Sequence, residues 1–469
     1  MLEKIILAKS FVKIEWKRFG LWVLFSFFVV MISLCAVLKP YRVPPIISIL
    51  SDVSEKTVAP IASDVLPDPR IEPLKSMETL ESLCVYGEKS NFCELNGDIR
   101  IHGNSSSIYF TSSQLKNKVF QNNSLGVKLY ARKIDRTVMK KIKEVWIKPI
   151  LSSSNHVIIP NCTINHSVPF IVLSTGGYAG NIFHDTSDVL IPLYLTSLHF
   201  NGEVQFLAQE KNPWWINRHE VMFKALSNYP IIDFDHDDHV RCFKGGIVGL
   251  KSNKDFGISL AKFNPNGLSL RNFTQFNRRV YSLKRDSVTE KTNRQKRKPR
   301  LLIVSRKKTR AILNEDELKQ VARGLGFEVE IVDANMNLKN FSKIVNSMDV
   351  MVGVHGAGLT NMIYLPENAV LIQIVPIGCG PISRIFYENP ARDMNLNYLE
   401  YKVNVMESSL IEQYPRDHII INDPSNAIKN DWLGFKKVYM DNQDVRLDLS
   451  RFKLVLLKAL AILSHKSSI

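Results

Sequence analysis

Residues 349–361 constrain the fold most, because an apolar strand pattern here runs directly into a glycine-rich turn that holds a histidine. The segment reads DVMVGVHGAGLTN, and the apolar positions after the turn suit one face of a helix. Such a turn directs backbone N–H groups and the positive end of a helix to one place. Small residues there let a bulky anion approach the backbone closely. The sequence therefore predicts a strand, a tight turn and a helix that can bind a diphosphate.

His355 distinguishes this turn from an ordinary connection whose glycines only ease packing. We expect its ring at the carboxyl end of a buried parallel strand, where open α/β sheets bind their ligands. From there the imidazole can donate a charge-assisted hydrogen bond to phosphate or exchange a proton. A second strand pattern, VLIQIVP at 370–376, follows after a short connection. The unit is therefore β-loop-α-β.

A similar pattern lies at 168–193, which reads VPFIVLSTGGYAGNIFHDTSDVLIPL. It predicts a buried strand, a glycine turn and a helix that begins near Asn181. His184 and Asp188 are four residues apart and share one helix face, with Asp185 beside them. Strand and helix patterns alternate on both sides of a basic segment at 284–300. This alternation predicts two α/β layers that face each other.

The first 38 residues are predicted to form a short cytosolic tail and a membrane anchor. Residues 19–38 carry no charge, and about 20 apolar residues span a hydrocarbon core of about 30 Å. Basic residues exceed acidic ones before this run, so that flank should stay in the cytosol. A cleaved signal peptide is the alternative, but no small-x-small cleavage site follows. We expect a cytosolic tail at 1–18, an anchor at 19–38, and a lumenal stem rich in proline, serine and charge at 39–82.

The net charge of +16 is partly local, because residues 284–300 carry eight basic side chains against two acidic ones. A solvated interdomain segment is the favoured interpretation, and attraction to an acidic polysaccharide or membrane surface is the alternative. No nucleic-acid partner is expected in a lumenal compartment.

Cysteines and glycosylation sequons agree with a lumenal address. Cys84 and Cys93 are close enough in the chain for a local disulfide, whereas Cys162, Cys242 and Cys379 cannot be assigned from spacing. Sequons of the form N-x-S/T predict glycosylation at Asn104, Asn122, Asn161, Asn165, Asn272 and Asn340.

From about residue 80 to its end the chain resembles plant members of glycosyltransferase family 61, the group associated with arabinosyl and xylosyl decoration of xylan. The motifs that carry the resemblance are STGGY at 174–178 with His184-Asp185, PWWI at 213–216, DFD at 233–235, Ser305-Arg306 with ILNE at 312–315, GVHGAGLTN at 353–361 and QDVRL at 443–447. The resemblance implies a single-pass type II Golgi membrane protein with a GT-B-like α/β fold. Its two Rossmann-like domains, expected at 83–290 and 291–469, would face a cleft. It also implies inverting, metal-independent transfer from a nucleotide sugar.

Transfer without a metal needs protein groups that carry positive potential to the departing diphosphate. Arg306 suits this role because its fork is planar and always charged, and Arg310 either assists it or is a solvent-exposed linker residue. Glu315 and Asn361 can meet ribose or a backbone amide, with a helix-dipole role as the alternative for Glu315, and Gln373 can reach ribose or base. The predicted nucleotide-sugar site comprises Ser305, Arg306, Arg310, Glu315, His355, Gly356, Ala357, Gly358, Leu359, Asn361 and Gln373.

The catalytic base is expected in the N-terminal domain, in the cluster His184, Asp185 and Asp188. Asp188 and His184 are both candidates, and acids that merely suit a helix dipole are the alternative. Residues 233–238 hold several carboxylates that could bind Mn²⁺ or Mg²⁺, but we predict a polar loop and no metal site. Trp214 and Trp215 are candidates for stacking on an acceptor sugar, or for core packing.

The leading hypothesis is transfer of xylose or arabinofuranose from a UDP-sugar to a xylan backbone at the Golgi membrane, with no cofactor. Transfer of N-acetylglucosamine or xylose to a glycoprotein glycan stays open, because one sugar substituent changes few pocket contacts. A non-catalytic Golgi scaffold that binds glycan is a second alternative. A nucleotide-dependent oxidoreductase is disfavoured, since GVHGAG lacks the G-x-G-x-x-G order. The oligomeric state is not assigned.

Overall fold

The fold is given by a computed structural model that describes residues 83–111, 124–150, 159–259, 267–288, 297–333, 336–429 and 431–465. The predicted tail, anchor and stem at 1–82 lie outside the described residues, as do Asn122 and the expected domain boundary at 290. Within the described ranges, no helix is both long and apolar enough to cross a membrane.

The first half of the described chain contains a ten-stranded mixed sheet. Its strands are β1 (Cys84–Tyr86), β2 (Asn91–His102), β3 (Ser107–Thr111), β4 (Leu125–Lys128), β5 (Glu144–Pro149), β6 (Ile164–Asn165), β7 (Phe170–Ser174), β8 (Gln205–Gln209), β9 (Ile232–Asp233) and β10 (Val240–Val248). They are ordered β4-β5-β3-β2-β10-β7-β8-β9, with β1 beside β2 and β6 beside β10. The β10-β7-β8-β9 part is parallel and Rossmann-like. The antiparallel pairing of β2 with β3 and β10 extends it, which the sequence analysis did not predict.

The second half contains a five-stranded sheet in which all neighbours are parallel. Its strands are β11 (Arg300–Ser305), β12 (Glu328–Asp333), β13 (Val350–Val354), β14 (Val370–Val375) and β15 (Asn397–Lys402), ordered β12-β11-β13-β14-β15. Every residue of β13 and β14 is buried. Continuous apolar strands of this kind are typical of parallel sheets covered on both faces, so this is a Rossmann-like layer.

Helices connect and cover the strands. They are α1 (Arg136–Met139), α2 (Ile182–His184, a π-helical turn at Asp185–Leu190, then Ile191–Ser197), α3 (Pro213–Leu226), α4 (Leu270–Val280), α5 (Glu315–Gly324), α6 (Leu338–Ser347), α7 (Gly380–Ser383, a π-helical turn at Arg384–Glu388, then Asn389–Asp393), α8 (Ile419–Asn422), α9 (Pro424–Ala427), α10 (Trp432–Phe435, then a π-helical turn at Lys436–Asp441) and α11 (Leu449–His465). A 3₁₀-helix, Ala357–Tyr364, follows β13.

One apolar core joins the two sheets. It contains Leu173 of β7 and Val189 of α2 together with Leu302 of β11. Phe183, in the first turn of α2, packs edge-on against Phe386 of α7 with ring centroids 5.1 Å apart. The start of α2 therefore lies against α7. This contact brings the predicted catalytic cluster around His184, the first half of the site, close to the predicted nucleotide-sugar residues, the second half of the site.

Candidate active site

The turn after β13 is built around His355 and Gly356. The His355 N–H donates to the Ile374 carbonyl at 2.9 Å, which continues the strand pairing for one more residue. Gly356 then has a φ of 143°, a conformation that side chains other than glycine rarely adopt. The helix after it is 3₁₀ rather than the expected α-helix. Its residues from Gly358 to Tyr364 are all buried, so it lacks the exposed face of a surface α-helix.

Hydrogen bonds fix the orientation of the His355 ring. The Gln373 side-chain amide donates to His355 Nδ1 at 2.9 Å, and the Tyr398 hydroxyl donates to the Gln373 carbonyl oxygen at 2.9 Å. Ser383 Oγ lies 3.0 Å from the same Nδ1. Because Nδ1 accepts, the proton of the neutral ring is on Nε2. Gln373 thus orients His355, which is a different role from the predicted contact with ribose or base.

His355 is a neutral donor. Burial lowers its pKa to about 3, and the nearby charges of Arg310 and Arg306 act in the same direction. The ring is only 2% exposed. The positive charge at this turn therefore comes from the two arginines. The charge-assisted hydrogen bond expected from His355 to phosphate stays a prediction.

Arg306 and Arg310, the arginine pair, lie directly beside Gly356. A Cβ atom at Gly356 would be 2.9 Å from Arg306 Nη1 and 3.3 Å from Arg310 Nη2. Arg306 donates from Nε to the Thr309 carbonyl at 2.9 Å and from Nη2 to the Thr309 hydroxyl at 3.2 Å. Arg310 has a φ of 54° and is 6% exposed, so it is not the solvent-exposed linker residue that the alternative supposed.

The arginine pair has no carboxylate partner within ion-pair distance among the described residues. Arg310 Nε and Nη1 are buried and have no hydrogen-bond partner there. Burial lowers the pKa of Arg306 to about 10, with Arg310 adding to the effect, and burial also lowers the pKa of Arg310. Both groups remain charged at neutral pH. An uncompensated cation pair beside a glycine turn has the chemistry of an anion site.

The remaining predicted nucleotide-sugar residues differ in what they contact. The Ser305 hydroxyl donates to Glu315 Oε1 at 3.1 Å, and Lys307 Nζ lies 2.5 Å from the same oxygen. The Asn361 amide donates to the Gly358 carbonyl at 2.9 Å, and its Oδ1 is buried without a partner in the described chain. Two further members, Ala357 and Leu359, pack in or against the apolar core.

His184 is held at the start of α2 by Asp188. Its Nδ1 lies 2.8 Å from Asp188 Oδ2, and its ring packs against Tyr178 with centroids 4.4 Å apart. The Asn181 side chain caps the helix by accepting from the Phe183 N–H. A π-helical turn then begins at Asp185, a feature that is frequent at functional sites. Because Nδ1 donates to the carboxylate, the Nε2 lone pair of His184 is left to accept a proton.

Asp188 is a fully buried carboxylate. Oδ2 also accepts from the Tyr130 hydroxyl at 3.0 Å, while Oδ1 lies 3.1 Å from Lys89 Nζ and 3.5 Å from Arg132 Nη1. Burial raises its pKa, but Lys89, the hydrogen bond from His184 and Arg132 outweigh that effect. The net pKa is well below the usual range. Asp188 therefore stays ionised and orients His184, which favours His184 over Asp188 as the base.

Asp185 has a different set of partners. Oδ1 accepts from the Gly180 N–H at 2.9 Å and from Trp215 Nε1 at 2.7 Å, and Oδ2 lies 3.3 Å from His219 Nε2. Asp185 is 1% exposed and Trp215 is fully buried. Together they tie the glycine turn to α3. Both carboxylate oxygens of Asp185 are taken by these partners, which does not match its predicted catalytic role. Trp215 packs in the apolar core, which is the alternative expected for it.

Trp214 is 55% exposed, since consecutive helix residues face different sides. A Cβ at Gly180 would lie 3.3 Å from its ring, which places Trp214 at the rim of the glycine turn. The Arg218 guanidinium stacks 5.6 Å from the ring centroid. Of the two tryptophans predicted to stack on an acceptor sugar, Trp214 is therefore the one whose ring is accessible.

Comparison with known proteins agrees with this geometry. A model of the Glycosyltransferase 61 family matches residues 182–372, which include His184, Asp188, the arginine pair and His355. Beta-1,2-xylosyltransferase XYXT1 of Oryza sativa subsp. japonica is 39% identical over 389 residues, covering 80% of this chain and 83% of its own. The chain belongs to glycosyltransferase family 61.

Other family 61 relatives match over a similar extent. Alpha-1,3-arabinosyltransferase XAT2 of Oryza sativa subsp. japonica is 45% identical over 81% of this chain, which spans 64% of the length of XAT2. Xylan glycosyltransferase MUCI21 of Arabidopsis thaliana is 35% identical, with 83% of this chain and 82% of MUCI21 covered. Among solved structures, the bacterial iron-containing dodecameric glycosyltransferase TibC from enterotoxigenic E.coli H10407 overlaps 63% of this chain and 77% of its own, with 10% identity and a TM-score of 0.26.

Sequence reasoning missed three residues that contact Asp188 in this family 61 chain. Lys89, Tyr130 and Arg132 all contact Asp188, yet they precede the glycine turn by many residues and stand in unremarkable loop or strand ends. No local motif marks them. The segment of Lys89 is brought to α2 by the pairing of β2 with β10 and of β10 with β7, and the segment of Tyr130 and Arg132 follows β4, which joins the same sheet through β5 and β3.

Carboxylates of the acidic loop at 233–238 form hydrogen bonds and ion pairs within the fold of this family 61 chain. Asp235 accepts from the Glu210 N–H at 2.6 Å, and Asp237 pairs with Arg241 at 2.5 Å. In the parts of the chain that the structure describes, no group of three or more His, Cys, Asp or Glu side chains could hold a metal ion.

The cysteines and the glycosylation sequons of the family 61 chain can be located among the described residues. Disulfides join Cys84 to Cys93 and Cys162 to Cys242, and Cys379 is a buried free thiol. The described sequon asparagines are all exposed, namely Asn104, Asn161, Asn165, Asn272 and Asn340.

Proposed function

We propose that this chain is an inverting, metal-independent glycosyltransferase of the GT-B type that moves a pentose, xylose or arabinofuranose, from a UDP-sugar to a xylan backbone. The observation that carries the proposal is the arginine pair beside Gly356, which has no ion-pair partner among the described residues, in a fold that also holds His184 oriented by Asp188. The similarity to the xylan glycosyltransferase MUCI21 supports xylan as the acceptor, and the similarity to the arabinosyltransferase XAT2 and the xylosyltransferase XYXT1 supports a pentose as the transferred sugar.

The second half of the site would bind the leaving diphosphate. Arg306 and Arg310 supply two positive charges where negative charge develops as the glycosidic bond to phosphate breaks. The His355 Nε2–H adds a neutral hydrogen bond, and Gly356 lets the phosphate approach the backbone. These groups take the part that a divalent cation has in other transferases.

The first half would activate the acceptor. The acceptor hydroxyl gives its proton to His184 Nε2 as its oxygen attacks the anomeric carbon of the donor. The bond from that carbon to the diphosphate breaks on the opposite face, so the configuration inverts and UDP leaves with the bonding electrons. Asp188 stabilises the imidazolium that forms, through its contact with Nδ1.

We place the active part in the Golgi lumen, anchored by the charge-free run at 19–38. The two disulfides and the exposed sequons support an oxidising, glycosylating compartment. Digestion of sealed Golgi vesicles with protease tests the orientation. Protection of the catalytic part until detergent is added supports it, and cleavage without detergent contradicts it.

A donor screen tests the proposed activity. The full-length chain, solubilised in detergent with EDTA present, is incubated with a xylo-oligosaccharide and with UDP-xylose, UDP-arabinofuranose or UDP-N-acetylglucosamine, and products are read by mass spectrometry. We expect one pentose donor to give product, and His184→Gln to lower its rate of formation by about 1,000-fold. Activity that appears only with Mn²⁺ would contradict metal independence. Binding of UDP without any transfer, also with glycoprotein acceptors, would favour the scaffold alternative.

A further inference from the structure

Lys89, in the loop between β1 and β2, is a buried lysine bound to the π-helical turn of α2. Its Nζ lies 3.1 Å from Asp188 Oδ1 and 2.9 Å from Asp255 Oδ1. It also donates to the Ser187 hydroxyl at 2.8 Å and to the Ser187 carbonyl at 3.1 Å. Lys89 is only 5% exposed, so these contacts replace its hydration.

Arg132 is the second cation at this place. Its Nη1 lies 3.5 Å from both Asp188 Oδ1 and Asp255 Oδ1, and its Nε lies 3.3 Å from Asp135 Oδ2. Lys89, Arg132, Asp188 and Asp255 therefore form a set of ion pairs, the Lys89 cluster, in which each cation contacts both carboxylates. Asp255 is the more exposed of its carboxylates, with 24% of its side chain accessible.

The Lys89 cluster acts on His184 through Asp188. A lone buried carboxylate at Nδ1 would hold the imidazole in its protonated form, in which it cannot accept a proton. Lys89 and Arg132, at the other oxygen of Asp188, weaken this stabilisation of the protonated ring. Asp255, which contacts both cations, restores part of it. At short range and with little solvent, each of these charges has a measurable effect on protonation.

The other titratable groups around His184 are neutral or already paired. Tyr178 stacks on the ring and donates its hydroxyl to Asp135 at 3.0 Å. Burial raises the pKa of Tyr130, which donates to Asp188. From the second half, Tyr387 faces Phe183, and burial raises its pKa to about 12. The arginine pair acts on Tyr387 and His355 from the far side and is common to every variant below.

We propose that Lys89 and Asp255 are positioning residues with opposite effects on the proposed base: Lys89 favours the neutral form of His184, and Asp255 favours the protonated form, both through Asp188. The inference rests on the proposed role of His184. The proposal gives a role to Lys89, which among the described contacts touches neither of the two glycine turns nor the arginine pair.

The test compares Lys89→Gln with Asp255→Asn in the full-length chain, by the pH dependence of kcat/KM for pentose transfer. We expect the acid-side midpoint to move up by about 0.5 to 1 pH unit in Lys89→Gln and down by a similar amount in Asp255→Asn. The double variant, which removes one charge of each sign, should return the midpoint close to that of the unchanged chain. A merely structural role would lower the rate in all three without opposite shifts.

A second readout does not need turnover. Diethyl pyrocarbonate acylates neutral imidazole, so the pH dependence of His184 acylation, followed by peptide mass spectrometry, reports the same protonation. Opposite midpoint shifts in the two variants support the proposal even if no donor is transferred, in which case only the proposed function fails. Equal shifts, or none, overturn it. If Lys89→Gln does not fold, the direction of the shift in Asp255→Asn decides.

Discussion

The two halves of the site treat buried charge in opposite ways. In the first half, Asp188 meets Lys89 and Arg132, and every charge of the cluster has a partner of opposite sign. In the second half, Arg306 and Arg310 lie beside Gly356 with no ion-pair partner in the described chain. Unpaired buried charge opposes folding, whereas removing one member of a buried pair leaves the other uncompensated.

This difference indicates two kinds of task. The balanced half is complete as it folds, and it holds a proton acceptor in one orientation. The second half lacks a partner for its two positive charges until an anion binds. Part of the binding free energy of a diphosphate would therefore come from relieving the repulsion between Arg306 and Arg310.

His184→Gln should separate the halves most sharply. We expect transfer to fall by about 1,000-fold, because general-base catalysis is removed. The affinity for UDP should stay within about twofold, since the arginine pair is untouched. Turnover and calorimetric UDP titration of the same preparation give both values. Loss of UDP affinity in parallel with turnover would show that the two halves are not independent.

Arg310→Met and Lys89→Met form a matched pair across the halves. Arg310→Met should weaken UDP binding by about 30-fold, the loss of a charged hydrogen-bonding group, yet raise the thermal midpoint of the UDP-free protein because an uncompensated cation is removed. Lys89→Met should lower the free energy of unfolding by about 3 kcal/mol, since it leaves two carboxylates short of a partner.

Thermal unfolding and UDP titration of both variants provide the measurement. Arg310→Lys is the control, because it keeps the charge without the planar fork. Equal destabilisation by the two methionine substitutions would break the comparison between the halves.

Gly356→Ala tests the approach of phosphate to the arginine pair. The new Cβ would lie 2.9 Å from Arg306 Nη1, and the φ of 143° strains any residue with a side chain. We expect about tenfold weaker UDP binding, with the acid-side midpoint of the pH profile unchanged. Unaltered UDP affinity would show that the anion does not bind at this turn.

A further expected effect concerns the dependence of folding stability on pH. The pKa of His355 is lowered to about 3, so the unfolded chain binds a proton near pH 6.5 that the folded chain does not. Its contribution to stability is therefore lost as pH falls, by about 2 kcal/mol between pH 6.5 and 5. His355→Gln should flatten this slope in denaturant titrations. A slope as steep as that of the unchanged chain would contradict a neutral His355.

Local patterns predicted the two strand-and-turn units well, because hydrophobic runs and glycines act over short distances. Asn181 does cap α2, and β13 and β14 have the expected order. The sequence did not distinguish the roles of residues that are adjacent in the chain. Trp214 and Trp215 have identical chemistry, and only packing against Asp185 makes one of them core.

Long-range charge pairing could not be predicted. Lys89 lies 98 residues from Ser187 in the chain, and its contact depends on the antiparallel extension of the first sheet. Arg310 is buried and has a φ of 54°, and a sequence of ordinary polar residues indicates neither. The sequence thus predicted both strand-and-turn units but not the balance of charge around them.

The central claim is tested most directly by titrating the full-length chain with UDP and with uridine in EDTA. The account predicts that UDP binds at least about 30-fold more tightly than uridine, and that this ratio collapses when Arg306 and Arg310 are both replaced by methionine. Equal affinity for UDP and uridine, or UDP binding that requires Mn²⁺, would contradict the claim that the arginine pair holds the diphosphate.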